Sequence, residues 1–368
     1  METSTIIAGI SHGDINGIGY EVIIKALMDN EINDFCVPVV YGSPKVAAYH
    51  RKALNINNFS FNNIKSPEEA SQKRANMINC LDDNVRVELG RSTQQGGESA
   101  LISLERAVED LKNGKIHVLI TGPIDKKNIQ SETFTFSGHT EYLKSKSDAD
   151  DVLMLMISEN MKIGFVTGHV PLGKVSEMLT IDLVANKIRM MNHSLILDFG
   201  IRKPQIAVMG LNPHAGDDSL LGTEEAEIII PAMKQTDKEG IMTFGPFAAD
   251  GFFGAGSFSK FDGILAMYHD QGLAPFKALS FDSGVNFTAG LPFVRTSPVH
   301  GTAFHMAGKG EASENSFRQA IYLACTIYKN RQMYAELTKD PLMHQDIETY
   351  SDKVDELPPD IINTENNL

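Results

Sequence analysis

Asp262-Gly-Ile-Leu-Ala-Met-Tyr-His-Asp-Gln-Gly-Leu-Ala-Pro-Phe-Lys277 is the stretch from which the fold can first be inferred. Its apolar run from Gly263 to Met267 is short enough for a buried β-strand. His269 and Asp270 follow where this strand should end, and Lys277 lies about two helical turns further along. In an open α/β sheet, ligands bind at the carboxyl ends of the strands. The stretch therefore predicts a strand-to-helix turn at a functional site, although polar residues that merely face water give the same pattern.

Short apolar runs and helical patterns alternate along the rest of the chain. Residues 5–10, 37–41, 116–120 and 206–211 have the pattern of buried strands, and residues 99–111 and 315–328 that of helices. Residues 152–157 and 161–166 predict two strands of a hairpin, because only a short turn separates them. This alternation predicts an α/β fold with a mostly parallel sheet and right-handed crossovers.

Length and composition indicate an ordinary globular protein. The chain has 368 residues, enough for two domains of about 150 residues each. Its formal charge of −14 argues against nucleic acid or an anionic membrane as a partner. No apolar run approaches the roughly 18–20 residues that span a bilayer, and the N-terminus has no signal-peptide pattern. Cys36, Cys80 and Cys325 are odd in number and far apart, which predicts reduced thiols in a cytoplasmic protein.

Three predicted strands are followed by a histidine. His169, His214 and His269 are separated by 45 and 55 residues, so no local motif links them. Three imidazoles can hold a divalent metal such as Zn²⁺, Co²⁺, Mn²⁺ or Mg²⁺ and leave positions open for a substrate. The alternative is three unrelated polar residues at strand ends.

Two further groups of polar residues are candidates for a site. The first group is cationic and polar, and in so acidic a protein it would indicate a small anionic substrate: His139, Thr140, Lys277, Asn286 and Arg295. The alternative is that its charged members are solvated at the surface.

The second group is the pair of carboxylates Asp250 and Asp270, either of which could orient a metal-bound histidine or act as a general base. The Gly-rich turn at residues 11–21 is a further candidate for anion binding, or simply a tight turn before a helix.

Seven segments, in order along residues 5–330, resemble the 4-hydroxythreonine-4-phosphate dehydrogenase family of pyridoxal phosphate biosynthesis. They are Gly13–Glu21 (GDINGIGYE), Thr121–Lys126 (TGPIDK), Ser137–Glu141 (SGHTE), Leu211–Gly216 (LNPHAG), Ala266–Gly272 (AMYHDQG), Val285–Phe293 (VNFTAGLPF) and Arg295–Ser297 (RTS).

The resemblance implies a fold similar to that of isocitrate and isopropylmalate dehydrogenases, with two α/β/α domains and a cleft between them. We expect residues 1–130 with 298–350 to form the first domain and residues 131–297 the second, followed by a polar tail at 351–368. It further implies a homodimer whose active sites are shared at the interface.

By the same resemblance, the metal ligands would be His169, His214 and His269, with His269 coming from the other subunit. The substrate contacts would be the polar group named above, His139, Thr140, Lys277, Asn286 and Arg295. The cofactor would be NAD or NADP, whose contacts are not identified.

The reaction implied is oxidation of 4-phosphooxy-L-threonine at its C3 alcohol, followed by loss of CO₂ to give 3-amino-2-oxopropyl phosphate. Ile15, Asn16, Tyr20, Val299 and His305 depart from the residues usual in the family, which affects the expected nicotinamide contacts more than the metal site. Related enzymes oxidise 4-phospho-D-threonate or 4-phospho-D-erythronate. Outside the class, an acyl- or phosphotransferase and a metal-binding protein without activity are the alternatives.

Overall fold

The computed structural model describes residues 5–132 and 134–340. Within these residues, twelve strands form one sheet with helices packed on it. The strands are β1 (Ile7–Ser11), β2 (Val37–Gly42), β3 (Asn62–Ile64), β4 (Asn76–Asn79), β5 (Val118–Thr121), β6 (Leu153–Ile157), β7 (Lys162–Phe165), β8 (Gln205–Met209), β9 (Met242–Phe247), β10 (Gly263–Ala266), β11 (Val285–Ala289) and β12 (Val294–Pro298). The helices are α1 (Gly19–Leu27), α2 (Ile32–Phe35), α3 (Pro44–Ala53), α4 (Gln94–Lys112), α5 (His139–Ser145), α6 (Val175–Met178), α7 (Ile181–Leu197), α8 (Ile230–Asp237), α9 (Ala249–Gly254), α10 (His269–Ser280) and α11 (Asn315–Leu337). The predicted α/β class is confirmed.

The sheet is mostly parallel, as predicted. Its strand order is β3-β4-β2-β1-β5-β12-β11-β6-β7-β10-β8-β9. The six strands from β3 to β12 run parallel, as do the four from β7 to β9, while β11 and β6 are joined to their neighbours by antiparallel pairing. The predicted hairpin is confirmed, because β6 and β7 pair antiparallel.

Both faces of the sheet are buried along its central strands, as β5 shows. In β5, Val118 and Ile120 belong to one hydrophobic cluster and Leu119 to another, because successive side chains of a strand point to opposite faces. Helix α4 covers part of the second cluster. It begins five residues before its predicted start because the side chain of Thr93 caps it, accepting a hydrogen bond from the amide of Gly96 at 3.1 Å.

The Gly-rich turn between β1 and α1 is a packed turn. Residues 12–19 are all buried, and none of them lines the cavity described below. Gly13 has φ +74°, and a Cβ there would lie 2.3 Å from the carbonyl oxygen of Pro123. The amide of Asp14 donates to that same oxygen at 2.9 Å. The turn therefore supports the neighbouring segment after β5 and presents no open anion site.

One continuous sheet runs through both predicted domains. The predicted boundary at 297/298 falls inside β12, and the division into two domains stays a prediction. Residues 341–368, which include the predicted polar tail, lie outside the described residues. None of the helices in the described ranges has the length and apolar character needed to cross a bilayer.

Candidate active site

A cavity of about 370 Å³ lies where the parallel blocks of the sheet meet the antiparallel strands between them. Its walls come from the segment after β5, the start of α5, strands β6, β11 and β12, the residue His169 after β7, and helix α10. The cavity thus draws on both halves of the chain.

Seven of the predicted site residues line this cavity. They are the predicted substrate contacts and two of the predicted metal ligands: His139, Thr140, Lys277, Asn286, Arg295, His169 and His269. Five polar residues without a predicted role line it as well: Thr121, Lys126, Glu141, Ser297 and His300. Thr121, Lys126, Glu141 and Ser297 stand inside the segments that carry the family resemblance, so their positions in those motifs were the signal that could have identified them.

Arg295 is the buried cation of the site. Its Nε and Nη2 donate to Thr121 Oγ1 at 3.1 and 2.6 Å, and its Nη1 donates to Thr288 Oγ1 at 3.3 Å. Burial lowers the pKa of the guanidinium to about 10, with a smaller opposite effect from the charge of Glu141, so Arg295 stays charged near neutral pH. The two threonines fix the guanidinium plane and leave further N–H groups for an anion.

Three buried polar atoms around the cavity have no hydrogen-bond partner in the part of the chain that the structure describes: His139 Nε2, Asn286 Oδ1 and His300 Nε2. A buried polar atom without a partner costs free energy, so such atoms call for a bound group. Burial, together with the charges of Arg295 and Lys126, holds the pKa of His139 well below its usual value. The His139 ring is therefore neutral and can accept or donate one hydrogen bond to a ligand.

His169 and His269 adjoin at one end of the cavity. Strands β7 and β10 are parallel neighbours, and the pairing continues past them, with the amide of Thr167 donating to the carbonyl of Met267 at 3.1 Å. The ring centroids of the two histidines are 5.3 Å apart. Asp270 Oδ1 lies 2.7 Å from His269 Nδ1, so it accepts the Nδ1 proton and leaves Nε2 free. A contact of this kind can orient an imidazole, and a role for Asp270 in orienting a metal-bound histidine stays a prediction.

His214 lies apart from this pair. It follows β8, is exposed, has φ +53° and does not line the cavity. Glu225 Oε1 accepts the amide protons of Leu211 and Asn212, each at 2.7 Å, and so holds the start of this loop. Within residues 5–132 and 134–340, no three His, Cys, Asp or Glu side chains are grouped closely enough to hold a metal. The three-histidine site therefore stays a prediction.

The two candidate bases are both exposed. Asp250 is on the first turn of α9 and does not line the cavity. The Asp270 side chain is 84% exposed and is engaged by His269. A role for either carboxylate as the general base stays a prediction.

The chain is similar to known proteins both in sequence and in structure. A family profile described as pyridoxal phosphate biosynthetic protein PdxA matches residues 34–324. A 4-hydroxythreonine-4-phosphate dehydrogenase of Bacteroides thetaiotaomicron is 51% identical over 354 residues, covering 96% of this chain and 97% of that protein. A protein of Oceanobacillus iheyensis, named provisionally as a D-threonate 4-phosphate dehydrogenase, is 38% identical, covering 86% of this chain and 96% of that protein. The crystal structure of the Klebsiella pneumoniae 4-hydroxythreonine-4-phosphate dehydrogenase superposes with a TM-score of 0.75 at 33% identity, covering 89% of this chain and 98% of that chain.

Proposed function

The chain belongs to the PdxA family of pyridoxal phosphate biosynthetic proteins, and we propose from this that it is a 4-hydroxythreonine-4-phosphate dehydrogenase. The enzyme oxidises the C3 alcohol of 4-phosphooxy-L-threonine with NAD or NADP, and the resulting β-keto acid loses CO₂ to give 3-amino-2-oxopropyl phosphate. The observation that carries the proposal is that five expected substrate contacts and two expected metal ligands line one cavity.

The chain's own residues bind and orient the anionic substrate. Lys277 and Arg295 bring positive charge into the cavity of a protein whose formal charge is −14. Arg295 offers a planar fork to phosphate or carboxylate oxygens, and Lys277 a point charge. Asn286 Oδ1 and His139 Nε2 are buried and have no hydrogen-bond partner among the described residues, so both can bind the substrate. Thr140 adds a hydroxyl at the start of α5.

The histidine pair suits a divalent cation such as Zn²⁺, Mg²⁺, Co²⁺ or Mn²⁺. Burial, with the charges of Lys126 and His269, lowers the pKa of His169, which favours the neutral ring that a metal ligand requires. Bound at His169, His214 and His269, the ion would act as a Lewis acid toward the substrate's alcohol. NAD or NADP, when bound, would supply the hydride acceptor for this oxidation.

We further propose a homodimer that completes each site. His169 and His269 also line a second cavity of about 300 Å³, which opens beside the exposed Leu172. Leu220 and Leu221 on the loop after His214 are exposed as well. Apolar side chains beside incomplete polar sites are typical of protein interfaces. The free cysteines among the described residues fit a reducing compartment, and we place the protein in the cytoplasm.

A subunit-mixing experiment tests the shared site. The resemblance places His269 in the partner's site, although His169 and His269 of one chain already adjoin. We expect inactive His169→Ala and His269→Ala proteins to regain activity when mixed, because half of the sites formed in a heterodimer then have every ligand. Persistent inactivity in mixtures shown to exchange subunits would mean that both histidines serve the same site from one chain.

A nicotinamide-reduction assay tests the proposed activity. We expect 4-phosphooxy-L-threonine to reduce NAD⁺ or NADP⁺ in the presence of one of the four metals, with loss of activity on chelation. Measured kcat/KM for 4-phospho-D-threonate and 4-phospho-D-erythronate under the same conditions decides the alternative raised by the Oceanobacillus relative. No reduction of either nicotinamide with any of these substrates would exclude the dehydrogenase and favour an acyl- or phosphotransferase.

A further inference from the structure

The loop after β8 has a backbone conformation that residues other than glycine rarely adopt. Its six residues from 214 to 219 all have positive φ values, between +45° and +86°. Only Gly216 among them lacks a Cβ, and the other five are destabilised in this left-handed region. Contacts with the rest of the structure must therefore hold the loop in place. Backbone strain of this kind is concentrated at functional sites, and this loop carries His214, one of the three predicted metal ligands.

Glu225 makes the contacts that hold the start of this loop. The residue is only 4% exposed, and its Oε1 accepts the amide protons of Leu211 and Asn212, each at 2.7 Å. Its Oε2 accepts a proton from Asn212 Nδ2 at 2.9 Å. A Cβ at Gly216 would lie 2.8 Å from the same Oε2, so the middle of the loop packs against the carboxyl group. One buried side chain therefore contacts both the start and the middle of the loop.

The end of β8 is also tied to the end of β10, where the helix that begins with His269 follows. Gln271 Nε2 donates to the carbonyl oxygen of Gly210 at 2.5 Å, and Gln271 Oε1 accepts the amide proton of Met267 at 2.7 Å. Strands β8 and β10 are parallel neighbours, so these two backbone segments lie at the same edge of the sheet. Their spacing is therefore fixed by direct contacts. What remains to be fixed is the conformation of the loop itself, which depends on the buried carboxyl group described above.

We propose that Glu225 is a positioning residue for the proposed metal site and holds the loop so that His214 can bind the ion. The assignment rests on the proposed function, in which His214 is the third ligand. Glu225 does not line the active-site cavity, so it would act through the loop and not as a ligand itself. His214 is exposed on this loop, so an ion can reach its ring. A ligand that is already held in place loses less conformational entropy on binding, which raises the affinity for the ion.

Glu225→Ala is expected to weaken the binding of Co²⁺ by about 10- to 100-fold, the range typical for loss of a residue that orients a metal ligand. The measurement is a chelator-competition titration without substrate or nicotinamide, so it does not depend on activity. Glu225→Gln keeps an oxygen for the two backbone amides and should bind Co²⁺ more tightly than Glu225→Ala, within about threefold of wild type. Glu227→Ala is the matched control, because Glu227 is exposed on the same helical segment, and it should bind Co²⁺ as wild type does.

A double mutant separates positioning of His214 from a general loss of stability. If Glu225 acts through His214, the Co²⁺ affinity of His214→Ala/Glu225→Ala should equal that of His214→Ala alone, because the loop no longer carries a ligand. Additive losses would mean that Glu225 affects metal binding by another route, and would overturn the inference. Wild-type affinity in Glu225→Ala would overturn it as well. If Glu225→Ala does not fold, the same comparison with Glu225→Gln decides between additive and non-additive losses.

The single variant His214→Ala distinguishes failure of this inference from failure of the proposed function. If His214→Ala binds Co²⁺ as tightly as wild type, the three-histidine site itself fails. If His214→Ala binds Co²⁺ weakly while Glu225→Ala binds it as wild type does, only the positioning role of Glu225 fails.

Discussion

His269→Ala is expected to lower kcat/KM for 4-phosphooxy-L-threonine by about 10³-fold or more and to abolish stoichiometric metal binding. A Lewis acid contributes several kcal/mol to a transition state with developing negative charge, and about 4 kcal/mol corresponds to a factor of 10³. His269 is also the histidine whose Nδ1 lies 2.7 Å from Asp270 Oδ1. The measurement is metal content of the purified protein alongside the nicotinamide-reduction assay.

The matched control is His193→Ala, because this histidine is exposed on α7 and does not line the active-site cavity. It should retain both metal and activity. Equal thermal unfolding of the two variants would show that the loss in His269→Ala does not come from misfolding. Full metal content together with wild-type activity in His269→Ala would exclude the histidine from the site, and the same result for His214→Ala would remove the third proposed ligand.

Lowering the pH from about 7 to about 5 is expected to reduce the free energy of unfolding by about 4 kcal/mol through His12 and His50. Their rings stack on opposite sides of Tyr20, each with a centroid distance of 5.0 Å. Burial lowers the pKa of His12 to about 3 and that of His50 to about 4. This loss is large compared with the free energy of unfolding of a typical folded domain, which is about 5–15 kcal/mol.

The direction of this stability change depends on whether the folded or the unfolded chain binds more protons as the pH falls. In the unfolded chain each histidine has an ordinary pKa near 6.5, so it is protonated at about pH 5, whereas the folded protein keeps both rings neutral. Stability is therefore complete above the unfolded pKa and is lost as the pH falls toward the folded pKa values. Each ring accounts for about 2 kcal/mol of the loss in unfolding free energy at about pH 5, because one pKa unit corresponds to about 1.36 kcal/mol.

Urea unfolding of His50→Gln at both pH values measures the contribution of one ring. The glutamine amide can still donate to the carbonyl oxygen of Ile15, which His50 Nε2 contacts at 2.8 Å, but it does not titrate. The pH-dependent difference should shrink by about 2 kcal/mol relative to wild type. His193→Gln, at an exposed position, is the control. If the loss of unfolding free energy between the two pH values is as large in His50→Gln as in His193→Gln, the prediction is wrong.

Local patterns predicted the elements of the fold well. The stretch from Asp262 to Lys277 has the predicted strand and helix, with His269 as the first residue of α10. The predicted hairpin of β6 and β7 is also present, since alternation of short strands and the length of a turn are local properties. The start of α4 was predicted too late, because the cap at Thr93 lies upstream of the apolar periodicity.

The contacts of the site depend on strand order, which no local pattern contains. His169 and His269 are 100 residues apart, and they adjoin because β7 and β10 are neighbours in the sheet. Arg295 reaches Thr121 because β12 lies beside β5. Lys126 and Glu141 lay within recognised motifs, but only the assembled cavity shows that both line it.

The sequence by itself determined the α/β class, the strand-end histidines and the family to which the chain belongs, because periodicity and motif order are carried by neighbouring residues. The tertiary structure alone decided that His169 adjoins His269, that Asp250 lies outside the cavity, and that the turn at Gly13 is packed against Pro123. It also decided that Lys126 lies beside the expected substrate contacts. The reason is that these facts are distances between segments far apart in the chain, which are set only when the sheet fixes the order of its strands.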